Sequence, residues 1–282
     1  MRAYAVTDPV AFHGEGPVWS QRWGSLRWVD MLAGDVLSLT ASGEVERRHV
    51  GTVAAAVRPR TRGGAVIAVE RGFALEDADG AVTHLDPLWT DAGRRMNEGG
   101  CDPHGRFYCG SMAYDRTPGA GALYRLDPDG SVHVVLEHVT ISNGLDWSPD
   151  GSRAYYNDTA TGRVDVFDYD LQSGLTRRRV FVQIAETDGH PDGLTVDAEG
   201  GVWVALYGGG MVRRFTADGV ADGEVELPVR NVTACTLAGP HLDQLFITTS
   251  REGLSPGEDP LAGALFAASV GMGGVPVREF AG

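Results

Sequence analysis

The sequence predicts an all-β protein: a six-bladed β-propeller, one domain over residues 1–282, with its polar chemistry gathered in the central channel. Three observations carry that expectation. Turn signals closing on glycine recur at D-A-D-G (77–80), D-P-H-G (102–105), D-P-D-G (127–130), S-P-D-G (148–151), D-A-E-G (197–200) and T-A-D-G (216–219), mostly about 20 to 25 residues apart. Two turns per unit give roughly 40 to 50 residues, the length of a four-stranded blade. Between turns, segments of four to seven residues alternate apolar and polar, the period of half-buried strands. Finally, a polar residue recurs at one offset from the turn glycines. Asn143 lies eight residues before Gly151, Asp192 eight before Gly200, Asn97 eight before Gly105, and Glu15 nine before Gly24.

Taken in order, residues 1–12 read as a short strand, followed by Glu15 and an apolar-rich run through Trp19. The segment S-L-R-W-V-D (25–30) alternates, breaks at Ala33-Gly34, and alternates again over D-V-L-S-L (35–39) before a turn at Ala41-Ser42-Gly43. The same cadence runs to the end of the chain. Unit starts align at Glu15, about Ala55, Asn97, Asn143, Asp192 and about Thr233; six such units fit the chain, and seven would make them too short. No long 3.6-residue pattern appears. Residues Asp91 to Met96 form the best helical turn, and it is short. A pair of β-sandwiches is the competing architecture, but neither half shows a linker or a shift in composition.

Composition narrows the function classes. With 282 residues, 43% of them hydrophobic, the chain can bury a substantial core. A net charge of −14 argues against nucleic acid and anionic membrane surfaces as partners, and fits cations held by acidic groups. No early apolar run follows a basic start, and no stretch approaches the ~18 apolar residues of a spanning helix, so a cytoplasmic protein is expected. The three cysteines, Cys101, Cys109 and Cys235, are an odd count and read as reduced thiols.

The recurring polar position begins the first strand of each unit, and in a propeller that strand lines the channel. Glu15, Asn97, Asn143 and Asp192 therefore point into one end of it, while the second and sixth units offer alanines and Thr233. Asn143-Gly144 and Asp192-Gly193 also fit hairpin dipeptides, and that reading stays open at this level. Glu15, Asn143 and Asp192 supply oxygen only. Clustered carboxylates repel and are desolvated, and a divalent cation offsets this better than Arg95 would. Oxygen donors favour Ca²⁺, Mg²⁺ or Mn²⁺ over zinc. Ser111 and Ser142 lack a His-Asp pair, and no G-x-S-x-G elbow is present, which excludes a serine hydrolase. His13 and His190 read as structural loop histidines, and Trp19, Trp28, Trp147 and Trp203 as core between blades.

The strings G-E-G-P-V-W, R-x-N-E-G-G-C-D-P-H-G-R-F-Y-C-G-S-M, I-S-N-G-L-D-W-S-P-D-G and P-D-G-L-T-V-D-A-E-G-G-V-W-V-A resemble the SMP-30/gluconolactonase/regucalcin family from about His13 to Gly253. The resemblance implies a six-bladed propeller with one divalent metal, expected as Ca²⁺ with Zn²⁺, Mn²⁺, Mg²⁺ or Fe²⁺ as other occupants. It also implies hydrolysis of sugar lactones. It gives Glu15, Asn143 and Asp192 as metal ligands, and Asp192 also as general base. Arg95 and Asn97 match its substrate-contacting pair, and Asp115, with Tyr114 beside it, a position facing the sugar. Glu98 departs from the family's Asp after the Asn.

The loop A-Y-D-R-T-P-G-A-G (113–121) is expected to cover the channel mouth and tune substrate choice. Rival readings are a propeller hydrolase of another ester or phosphotriester, and a non-catalytic calcium-binding regulator.

Overall fold

The glycine turns close as their residue types demand. The amide of Gly80 donates to the Asp77 carbonyl at 2.9 Å and that of Gly151 to Ser148 at 2.8 Å. Both glycines are left-handed, with φ of 85° and 73°, a region closed to most side chains. A computed structural model describes residues 1–282 as 24 strands in six four-stranded antiparallel sheets, the blades of a propeller. Strand β1 (Tyr4–Ala5) comes first in the chain. Blade 1 is β2–β5 (Gly14–Ser20, Ser25–Asp30, Asp35–Leu39, Val45–His49), and blade 2 is β6–β9 (Ala54–Pro59, Ala65–Val69, Gly72–Glu76, Val82–His84). Blade 3 is β10–β13 (Arg94–Cys101, Phe107–Ala113, Gly121–Leu126, Val132–Val139), and blade 4 is β14–β17 (Ser142–Trp147, Arg153–Asp158, Arg163–Asp170, Gly174–Gln183). Blade 5 is β18–β21 (His190–Val196, Val202–Tyr207, Met211–Phe215, Ala221–Glu226). Blade 6 takes β22–β24 (Val232–Ala238, Gln244–Thr249, Phe266–Ser269) and is completed by β1, with Tyr4 opposite Ala267. The N-terminal strand thereby closes the ring.

All six predicted unit starts fall in the innermost strand of a blade, and the helical turn expected at Asp91 to Met96 does not form. Asp91 instead accepts the Gly93 amide at 2.8 Å, and β10 begins at Arg94. One irregularity repeats in every blade. The innermost strand slips register against its neighbour between Glu15 and Val18, Ala54 and Ala56, Met96 and Gly99, Ser142 and Leu145, Pro191 and Leu194, and Val232 and Ala234. Such bulges re-aim side chains, and here all six lie near the same end of the channel.

Trp28, Trp147 and Trp203 are fully buried, as expected, and burying a large side chain contributes about 1.5–3 kcal/mol. Trp19 is only partly buried, packed beside the cluster formed by Leu26, Trp28 and Leu37. The cysteines are free and buried, with Cys109 opposite Gly99 and Cys101 opposite Phe107. No helix is long and apolar enough to cross a membrane.

The last dozen residues run across the end of the channel opposite the bulges. They meet the turns that leave the innermost strands: Ala198 N donates to Gly273 O (2.8 Å), Arg278 Nη2 to Ser148 O (2.8 Å) and Ala281 N to Gly105 O (2.9 Å). Phe280 is buried in the apolar cluster that spans blades 1 to 3.

Candidate active site

At the bulged end lies a cavity of about 700 Å³ whose lining includes Glu15, Arg95, Asn97, Asn143 and Asp192. Residues from blades 1, 3, 4 and 5 thus meet because their strands converge on one axis. The convergence also explains the glycines. A Cβ on Gly144 would lie 2.6 Å from the Asp192 carbonyl oxygen, and one on Gly193 would lie 2.4 Å from Ala234 Cβ. Neither glycine has a positive φ, so the Asn-Gly and Asp-Gly pairs are close strand-to-strand approaches and not hairpin turns.

Glu15, Asn143 and Asp192 are each at most 5% exposed, and two of their oxygens stand out. Asn143 Oδ1 and Asp192 Oδ1 are buried without any hydrogen-bond partner in the protein. Asn143 Nδ2 donates to Thr159 Oγ1 at 3.0 Å, and Glu15 Oε2 accepts the Gly16 amide at 3.1 Å. Buried polar atoms are rarely left unpaired, so these oxygens point to a ligand. The charges say the same. Burial, then the charges of Asp192 and Glu98, raise Glu15 well above the usual carboxylate range. Burial, then Glu98, does so for Asp192.

No arginine or lysine pairs with them directly, although the charge of Arg95 offsets a smaller part of the shift in both. The one basic nitrogen within ion-pair distance of Glu15 is His13 Nε2, at 3.9 Å, and burial, then Arg95 and Arg116, push that imidazole down to about 3. It is neutral at pH 7. Nowhere do three His, Cys, Asp or Glu side chains cluster at metal-ligand spacing; this trio is two carboxylates and an amide. Oxygen donors, negative charge without a counter-ion and unpartnered lone pairs fit a hard divalent cation.

Arg95 is 5% exposed and forms no ion pair. All of its hydrogen bonds within the protein come from Nη1: to Asn97 Oδ1 (2.6 Å), Met96 O (3.1 Å) and Met31 Sδ (2.9 Å). Its Nε and Nη2 are left for something in the cavity. Asn97 also donates from Nδ2 to Ser142 O at 2.8 Å, so it ties Arg95 to blade 4, with one amide hydrogen remaining. Glu98 lies outside the cavity lining, 3.5 Å from Arg58 Nη2, and Gly99 N donates to its Oε1 at 2.9 Å.

The 113–121 loop is placed differently from expectation in its side chains. Asp115 is exposed and outside the cavity lining, because its Oδ1 accepts both the amide (3.0 Å) and the hydroxyl (2.7 Å) of Thr117. That tight turn holds Arg116 left-handed, φ 59°, and it is Arg116 that lines the cavity. Its Nη2 lies 4.0 Å from Oε1 of Glu252, a residue in the β23–β24 connection of blade 6. Tyr114 also stands outside the lining. Its hydroxyl donates to Glu70 Oε1 at 2.7 Å, and the Arg95 guanidinium lies 5.9 Å from its ring.

Both histidines read from sequence as structural line the cavity. His13 is buried, with Nδ1 2.7 Å from Ser250 Oγ, and His190 is exposed at the mouth. Thr159, Tyr207 and Glu252 line it too. Each follows or ends the second strand of a blade, where the repeat at the first strand carries no signal. Ser142 Oγ accepts from Tyr156 OH at 2.8 Å and Ser111 Oγ donates to Ala122 O at 3.4 Å, with no histidine at either.

Comparison with known proteins agrees with this architecture. Residues 13–251 match the family described as SMP-30/Gluconolactonase/LRE-like region. The chain is 36% identical to human regucalcin over 283 aligned positions, covering 95% of each protein. The structure of a calcium-binding regucalcin from Agrobacterium tumefaciens superposes with a TM-score of 0.92 at 28% identity, covering 99% of this chain and 97% of that one. A luciferin-regenerating enzyme superposes with a TM-score of 0.89, also at 28% identity, covering 99% and 98%.

Proposed function

The chain belongs to the SMP-30/gluconolactonase/LRE-like family, and from that premise we propose that it is a divalent-metal-dependent hydrolase opening a sugar lactone to its aldonic acid. One observation carries the reading: the unpartnered oxygens of Asn143 and Asp192 share a cavity with the free donors of Arg95. Glu15, Asn143 and Asp192 would hold the ion, with Ca²⁺, Mg²⁺ or Mn²⁺ suited by donor type. When bound, a divalent ion there supplies carbonyl polarisation and a more acidic water.

The protein's own groups do the rest. Asp192 has two carboxylate oxygens, so with one of them toward the ion the other can accept a proton from a water at the lactone carbonyl, as a general base must. Arg95 Nε and Nη2 offer charge-assisted hydrogen bonds to ring hydroxyls or to the oxygen on which negative charge develops. Asn97 and Met31 hold that guanidinium in place, so little reorganisation is needed on binding. Neutral His13 keeps a competing positive charge off the cavity floor. Arg116 and Glu252, reaching from blades 3 and 6, narrow the mouth and bear on which lactone enters.

A calcium-binding regulator would have no use for a buried arginine with unused donors beside the metal trio. The deciding experiment is base uptake at constant pH over a panel of five- and six-carbon lactones, with and without chelator. Chelator-sensitive hydrolysis supports the proposal. Tight Ca²⁺ binding with no turnover of any lactone replaces it with the regulator.

A further inference from the structure

Thr159 ends the connection from β15 and opens a short 3-10 turn, Thr159–Thr161, at the wall of the cavity. Its amide donates to Ile141 O at 3.0 Å, which fixes the residue against the entry to β14. Its hydroxyl meets two groups. Oγ1 lies 2.8 Å from Pro191 O, the carbonyl preceding Asp192, and 3.0 Å from Asn143 Nδ2. A hydroxyl has one proton, and a carbonyl can only accept, so that proton belongs to Pro191 O. Toward Asn143, Thr159 can then only accept, which calls for the NH₂ end of the amide. Were Asn143 flipped, its oxygen would compete for the same proton, and the Pro191 carbonyl would lose its donor. Held as it is, Asn143 presents Oδ1 to the cavity, where no protein group meets it.

We propose that Thr159 is the positioning residue that sets the amide orientation of Asn143 and couples it to the Asp192 strand. The proposal rests on the metal-site reading above and goes beyond it in naming what makes Asn143 a competent ligand. Blade 4 holds the next carbonyl as well, since Asn157 Nδ2 donates to Asp192 O at 2.7 Å. The two ligands from blades 4 and 5 are thus set by one pair of inter-blade clasps.

The test is calorimetric titration of Ca²⁺ and Mn²⁺ into chelator-stripped wild type, Thr159→Val and Thr159→Ser, beside lactone kinetics. Valine keeps the shape and removes the hydroxyl; serine restores it. Removing a group that orients a metal ligand costs roughly 10- to 100-fold in metal affinity. T159V is therefore expected to bind the ions roughly 10- to 100-fold more weakly, with kcat recovering at saturating metal and KM unchanged. T159S is expected to match wild type. Wild-type ion affinity in T159V overturns the proposal, as does a raised KM with ion affinity intact, which would make Thr159 a substrate contact. If T159V fails to fold, the serine variant decides alone, and a folded T159S with weakened ion binding overturns it. Absence of ion binding in wild type would instead overturn the metal-site reading on which the proposal stands.

Discussion

Replacing Asp192 by asparagine should move stability and chemistry in opposite directions. In metal-free protein Asp192 is a desolvated carboxylate, 5% exposed, without a cation within ion-pair distance and with Glu15 and Glu98 nearby. An uncompensated buried charge costs about 3–5 kcal/mol. Water in the adjoining cavity screens part of this, and the new amide brings hydrogens that need partners. A net gain of about 1–3 kcal/mol remains, or roughly 2–12 °C in Tm at about 2–4 °C per kcal/mol.

The pH dependence follows the same logic. Asp192 is raised in the folded protein, so between that value and the unfolded one, near about 4, the folded state binds more protons. Metal-free wild type should therefore gain stability as pH falls through the raised folded value toward the unfolded one, and Asp192→Asn should lack that share. Glu15, raised for similar reasons, retains its own. Ion affinity and turnover should fall together, turnover by roughly 10²- to 10⁴-fold for loss of a general base. Thermal unfolding followed by circular dichroism in excess chelator, alongside the base-uptake assay, reads both arms. A metal-free variant less stable than wild type, with ion affinity intact, would refute the reasoning, because Asp192 would then be a satisfied structural carboxylate.

Three further outcomes are expected. Arg95→Ala should lower kcat/KM roughly ten- to hundredfold while metal affinity stays near wild type, since a charge-assisted hydrogen bond contributes about 1.5–3 kcal/mol; an equal shift in metal titration would misplace it. Arg116→Ala should change the ratio of kcat/KM between five- and six-carbon lactones more than Tyr114→Ala does. Asp115→Ala should act in the same direction by loosening the turn at Thr117, and unchanged ratios in all three would remove the loop from substrate choice. Phe280→Ala should cost about 3–5 kcal/mol of stability, because the ring is 1% exposed, yet leave kcat and metal affinity alone, as thermal unfolding and kinetics would show.

Much of this molecule is legible in one dimension because the fold repeats in one dimension. Turn chemistry at residues such as Asp77 and Gly80, and strand alternation between turns, mark each blade without reference to any other. The first-strand position of Glu15, Asn97, Asn143 and Asp192 is legible for the same reason. The bulge beneath it was not, since a register slip is a property of two strands, and neither carries its mark alone.

Side-chain direction in the 113–121 loop escaped the sequence as well. Asp115 had the right chemistry for a sugar, but a nearer donor, Thr117, takes its carboxylate and turns Arg116 inward. Local hydrogen bonds of this kind outcompete a distant ligand. The tail was silent too: Phe280 and Arg278 look like a polar terminus until their partners in blades 2 and 4 are known.

By itself, then, the sequence determined the number of blades, the strand that lines the channel, and the oxygen-only donors at its end. Only the tertiary structure decided which of those oxygens stay unpartnered, that Arg95 keeps two nitrogens free, and that His13, Thr159, Arg116 and Glu252 complete the cavity. The physical reason is the closure of the ring. A propeller brings His13 within hydrogen-bond reach of Ser250, 237 positions away, and no spacing along the chain records which distant residues meet at a common axis.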